Sequence, residues 1–151
     1  MREARQPIEG LAASAVEYFR DVACPAISES ISDPGSKSKA LAACILAHHI
    51  ADWASEVAAW EEIRADCPYS EALREIALGA KHFQVNNVEV IRAAATDGLR
   101  TRGYGTGPYG RGPYGPAIHT MAKRCPTADL HWTHVGEMLK LVRTWWANKL
   151  A

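Results

Sequence analysis

Cys44, His48, Asp52 and Glu56 recur every four residues, with His49 and Trp53 beside two of them. On an α-helix that spacing makes one row along the surface. A histidine and a carboxylate at i and i+4 can share a proton or hold one metal ion between them. A third group must come from another segment, and His82, with Lys81 and Arg74 near it in the sequence, is the candidate. Three roles suit this set. In the first, Asp52 pairs with His48, His49, Lys81 or Arg74 and ties two helices together, because buried polar groups need partners. In the second, His48, Asp52 and His82, with Glu56 in reserve, hold a divalent metal for hydrolysis. In the third, a histidine and a cation do acid–base work without metal, as in metal-independent ribonucleases. The structural tie leads, and it requires no cofactor.

The row needs a helix to carry it. Lys37 to Asp66 has no internal Gly or Pro and reads as one long helix. Leu46, Ile50, Trp53, Val57 and Trp60 follow a 4-3-4-3 spacing that makes its core seam. Pro7 to Ala23 reads as an earlier helix with a stripe through Ala15, Phe19 and Val22. Cys24 to Ser36, with two prolines, a glycine and four serines, reads as a connector holding an Asp33-Pro34-Gly35 turn. Tyr69 to His82 reads as a helix with Leu73, Ile76, Ala77 and Ala80 on one face. Asp129 to Leu150 reads as the last helix, with a seam through Trp132, Val135, Leu139, Val142, Trp146 and Leu150.

Between these helices the period changes. β-branched residues are dense from Val85 to Ile91, which predicts a strand over 85–94. Ala117 to Lys123 reads as its partner, with Ala117, His119 and Met121 on one side and Ile118 and Thr120 on the other. Residues 101–116 join them and contain Gly107-Pro-Tyr-Gly110 and Gly112-Pro-Tyr-Gly115, a short direct repeat that is neither helix nor central strand. Tyr104, Tyr109, Arg111 and Tyr114, flanked by Arg100 and Arg102, form the candidate binding surface of this loop. Tyr and Arg are the residues of interface hot spots. A mobile loop without a binding role ranks second to a protein partner, and stacking of the same residues on single-stranded nucleic acid ranks third. The expected fold is therefore mainly α. It is a three- or four-helix antiparallel bundle over residues 1–151, one domain, with a two-stranded β-hairpin over 85–123 inserted before the last helix. A lone hairpin is marginal in water, so it should pack on the bundle or on a partner.

Composition bounds the function. The chain has 151 residues, 48% of them hydrophobic and 23% charged, which suits a single packed domain. Seventeen basic and 17 acidic side chains cancel, so global charge points to neither nucleic acid nor a membrane. The two halves differ, however. Residues 1–75 carry 7 basic and 13 acidic side chains, and residues 76–151 carry 10 and 4. Such a split can steer a partner or favour head-to-tail self-association, but the leading expectation is that the acidic residues solvate the outer faces of the early helices. The longest apolar run, Ala40 to Ala47, has eight residues, against about 20 for a membrane span. The N-terminal residues lack the pattern of a signal peptide. A cytoplasmic location with reduced cysteines is the expectation. The four cysteines form no C-x-x-C pair, and three of them precede proline, at 24, 67 and 125, where helix punctuation is the simplest role.

Two resemblances bear on activity. Arg124 and His131, with six residues between them, match the Arg-x4–6-His spacing of HEPN ribonucleases, which are helical bundles. The interval contains Pro126 and leads into the last helix instead of lying within one, which departs from that pattern. Ala47-His48-His49-Ile50-Ala51-Asp52-Trp53, then Cys67-Pro68, then Lys81-His82-Phe83, then a Gly/Tyr-rich loop and a Trp-bearing final helix, resembles a group of uncharacterised small bacterial and phage helical proteins. The resemblance spans about residues 37–150 and implies a bacterial or phage origin and a site around Asp52 and His82. The leading expectation is a small cytoplasmic binding or assembly protein without robust catalysis, contacting a protein partner or itself through the Gly/Tyr loop. The alternative is a HEPN-like ribonuclease or metal-dependent hydrolase centred on His48, Asp52 and His82.

Overall fold

A computed structural model describes residues 13–81, 99–102, 117–122 and 131–151. They are mainly helical with a small antiparallel sheet. The predicted strand over 85–94, His82 and the loop residues 103–116 lie outside the described part.

Ser14 opens the first helix by accepting the Glu17 amide on its Oγ at 3.2 Å. The helix begins as α1 (Ala15–Tyr18), widens into a π turn (Phe19–Ala23) and continues as α2 (Cys24–Ser32) with helical dihedrals at each junction. The connector expected over 24–36 is thus helical to Ser32. The reason lies at Pro25. A proline inside an α-helix collides with the carbonyl four residues back and cannot donate. Here the turn before it is widened, with the Cys24 amide donating to the Phe19 carbonyl five residues back. The helix survives, and Ile27 is fully buried beyond the proline. The expected Asp33-Pro34-Gly35 turn is present, closed by Ser36 N–H to the Asp33 carbonyl at 3.1 Å.

The long helix expected over 37–66 is two helices, α3 (Lys37–Trp53) and α4 (Trp60–Asp66). Two tryptophans explain the break. Trp53 stacks on Tyr18 with centroids 5.0 Å apart. Trp60 meets His48 edge-on at 5.9 Å. On a continuous helix, residues 53 and 60 would lie on one stripe two turns apart. They could not reach the first helix and also turn back onto α3. Propensity alone permits the helix, and tertiary packing overrides it. Val57, expected in the seam, is 49% exposed in the turn between α3 and α4.

Cys67 and Pro68 end α4 as expected, and Tyr69 takes φ 58° to turn the chain into α5 (Ser70–Lys81). The last helix, α6 (Val135–Leu150), begins later than predicted because His131 to His134 form a strand. Val135, Met138, Leu139, Val142 and Trp146 of α6 are buried and form the centre of the core with Ile27, Ile50 and Ile76. Leu141, on the same helix, is 39% exposed.

The sheet has the order β1 (Leu99–Arg102), β2 (Ala117–Ala122) and β3 (His131–His134), all antiparallel. The predicted strand at 117–123 is real, but its described partners are 99–102 and 131–134. Ile118 and Thr120 are buried, while His119, on the alternate side, is partly exposed. β3 ends opposite His119, and beyond it the Ile118 amide donates to the Pro34 carbonyl at 2.8 Å. That bond fastens β2 to the turn between α2 and α3.

Candidate functional site

α3 is Ala-rich and capped by Ser36, whose Oγ accepts the Lys39 amide at 3.3 Å. It carries the row Cys44, His48 and Asp52 out of the core. Each four-residue step advances about 40° around an α-helix. Cys44 is therefore fully buried, His48 half-buried, and the Asp52 side chain 72% exposed. Glu56 lies past the end of α3 and is exposed. Burial pushes the Cys44 thiol up to about 12, so it is an inert core group.

His48 lines a cavity of about 10 Å³ with Trp60, Cys67, Ser70 and Trp146 among its walls. That is room for about one water molecule. Burial, reinforced by His49 and Arg74 and opposed by Asp52, lowers the His48 pKa to about 4. The imidazole is therefore neutral at neutral pH.

Asp52 is engaged by the other histidine. His49 Nδ1 lies 2.7 Å from Asp52 Oδ2, one turn apart on α3. This pair lies within α3, so His49, one of the partners expected for Asp52, joins no second helix; the side chain of Lys81, another of them, lies outside what is described. Arg74, one of its proposed partners, pairs with Glu75 at 3.1 Å. The inter-helix ion pairs are elsewhere. Arg64 to Glu71, at 2.6 Å, joins α4 to α5. Glu62 to Lys149 joins α4 to the end of α6. His82, Tyr104, Tyr109, Arg111 and Tyr114 lie outside the described residues. Of the HEPN-like pair, Arg124 also lies outside, and His131 falls in β3 instead of the predicted last helix. Among the described residues no three His, Cys, Asp or Glu side chains gather as metal ligands.

Two features were missed in the sequence. Glu75 is only 3% exposed, and its Oε2 has no hydrogen-bond partner. Burial raises its pKa, Arg74 lowers it and Glu71 adds to the rise. Nothing in the pattern of α5 marks this glutamate, since it falls outside the Leu73–Ile76 stripe. Glu75→Gln keeps the shape and removes the buried charge. At pH 7 it should raise stability by about 1 kcal/mol. The gain should shrink as the pH falls, because the raised pKa lets the wild-type carboxyl take up its proton above the ordinary carboxylate range, and paired thermal melts at pH 7 and in acid read both. A melting point lowered at pH 7 would show the charge to be stabilising. The second feature is the cross-strand pair His119 and His134, whose rings meet edge-on at 5.1 Å. Only the strand register brings them together.

No protein-family model matches the chain, and no curated protein or solved structure is significantly similar to it.

Proposed function

We propose that the protein is a small cytoplasmic binding and assembly protein of bacterial or phage origin. It contacts a protein partner, or a second copy of itself, through the Gly/Tyr/Pro-rich stretch 101–116. The observation that supports this is how the stretch is anchored. Arg102 and Ala117, which bracket residues 103–116, are register partners in the β1–β2 ladder. β2 is in turn fastened to the body by buried Ile118 and Thr120 and by the bond to Pro34. Binding residues on a loop held by a rigid base are a common recognition design. Tyr104, Tyr109, Arg111 and Tyr114 would supply the contact, as Tyr and Arg do at interface hot spots.

Replacing 103–116 by Asn-Gly, a two-residue hairpin turn, tests the reading. The molar mass by light scattering, or capture of a partner seen with wild type, should fall. The melting temperature should change by less than about 2 °C, since no described core residue is touched. A variant with unchanged mass and unchanged capture would end the proposal.

An enzymatic reading has one observation in its favour. The pair His49–Asp52 fixes one imidazole nitrogen on a carboxylate and leaves Nε2 for proton transfer, on a side chain 47% exposed. The accessible base would then be His49 rather than His48, in a HEPN-like ribonuclease or a metal-dependent hydrolase that also uses Asp52 and His82. RNA cleavage assayed with and without a chelator, on wild type, His49→Ala and His82→Ala, separates the two readings. Cleavage lost in either folded variant would favour the enzyme.

A further inference from the structure

His134 sits where β3 ends and α6 begins, and it is the N-cap of α6. Its Nδ1 accepts the Glu137 amide at 3.4 Å. The ring lies flush on the first turn of the helix. A Cβ built on Gly136 would come within 2.8 Å of His134 Cε1 and 3.0 Å of its Nδ1. Glycine at 136 is what lets the ring reach the open amides. From β2, His119 meets the same ring edge-on. The His119 Nδ1 lies 3.1 Å from the Ala117 carbonyl and donates to it.

An imidazole can accept the Glu137 amide only while Nδ1 carries no proton. Adding that proton would remove the acceptor and place a positive charge at the positive end of the helix dipole. We propose that His134 is an acid-release catch. With Nδ1 free it clasps β3 to the first turn of α6, and protonation unfastens that junction.

The described groups around it favour, on balance, the unprotonated ring. Burial lowers its pKa, His119 on β2 lowers it further, Glu137 on α6 raises it and Lys140 on α6 lowers it. Glu137 is held by Lys140 at 2.8 Å, so its carboxylate is committed. From α2 the neighbour at Gly136 is apolar Ile31. The clasped helix is the one that carries Val135, Met138, Leu139 and Val142 into the core, so opening its first turn would loosen the core's edge.

The test uses the full chain at pH 7.5 and pH 5.0. Asparagine caps helices without titrating in this range, so His134→Asn should keep the clasp at both values. The melting temperature of wild type should fall by about 3 °C more than that of His134→Asn over this interval. His48 is intact in both proteins, so its own titration cancels in the comparison. His119→Asn removes a neighbour that lowers the His134 pKa, so its fall should begin at higher pH than in wild type. If His134→Asn does not fold, hydrogen exchange in wild type answers instead. Protection of the Glu137 amide, corrected for the intrinsic rate, should drop about 5-fold between the two pH values. Equal falls in wild type and His134→Asn, or constant protection at Glu137, would overturn the proposal.

Discussion

Trp146→Ala should lower the unfolding free energy by about 3–5 kcal/mol, the largest loss expected from a single substitution among the described residues. For a chain of this length that is a fall in melting temperature on the order of 10 °C. Trp146 is 2% exposed, lies on the central helix α6 and packs edge-on against Trp145 at 4.9 Å. It also walls the small cavity beside His48. Truncation would merge the indole's volume with that cavity, and the surrounding residues belong to three different helices, so the hole cannot easily close. Leu141→Ala on the same helix serves as the control. Leu141 is 39% exposed, so its truncation should cost no more than about 0.5 kcal/mol. Equal losses for the two variants in a denaturant titration would contradict the placement of the core.

Acidification should remove roughly 3 kcal/mol of stability through His48 alone. The folded pKa is about 4, against 6.5 for the free side chain. Between those values the unfolded chain binds the extra proton, so stability falls as the pH falls through 6.5 and levels off below 4. His134, whose pKa is also lowered, acts in the same direction. Glu75 acts oppositely. Its raised pKa makes the folded state hold the proton, so its contribution is lost as the pH rises out of the carboxylate range. His48→Leu removes the largest of these contributions. Its stability should therefore depend on pH much less than that of wild type between pH 6.5 and 4, in urea titrations at several pH values. An unchanged pH slope in His48→Leu would place His48 in water.

The parts of the fold that were legible in the sequence are those whose apolar spacing is also their burial pattern. α5 runs over Ser70–Lys81 close to its predicted span, with Leu73 and Ile76 buried. In α6 the spacing of Val135, Leu139, Val142 and Trp146 is the core stripe itself. The misread parts depend on contacts distant in sequence. Pro25 looked like a stop because only the π turn before it lets the helix continue. The break before Trp60 depends on where Tyr18 and His48 lie in space, which no local window contains. His131–His134 carried a helical seam through Trp132, yet pairing with β2 draws these residues into the sheet.

The candidate site shows the same division. The i, i+4 spacing put Cys44, His48 and Asp52 in one row, as it should. The drift of that row around α3 decides which members are buried, and the sequence does not say which side faces the core. Asp52 consequently bonds His49, its neighbour one turn back, and His48 is left in an apolar setting beside Trp60. Glu75 was unreadable for a related reason: its burial comes from the surroundings of α5 and not from any pattern within it.

The most direct measurement is the titration of the His48 ring by NMR in the intact protein. A midpoint near pH 4 is predicted, with the imidazole uncharged throughout the neutral range and enclosed against α4, α5 and α6. A midpoint near the ordinary 6.5 would mean a hydrated, chemically available histidine, and would return His48 to the centre of an active site.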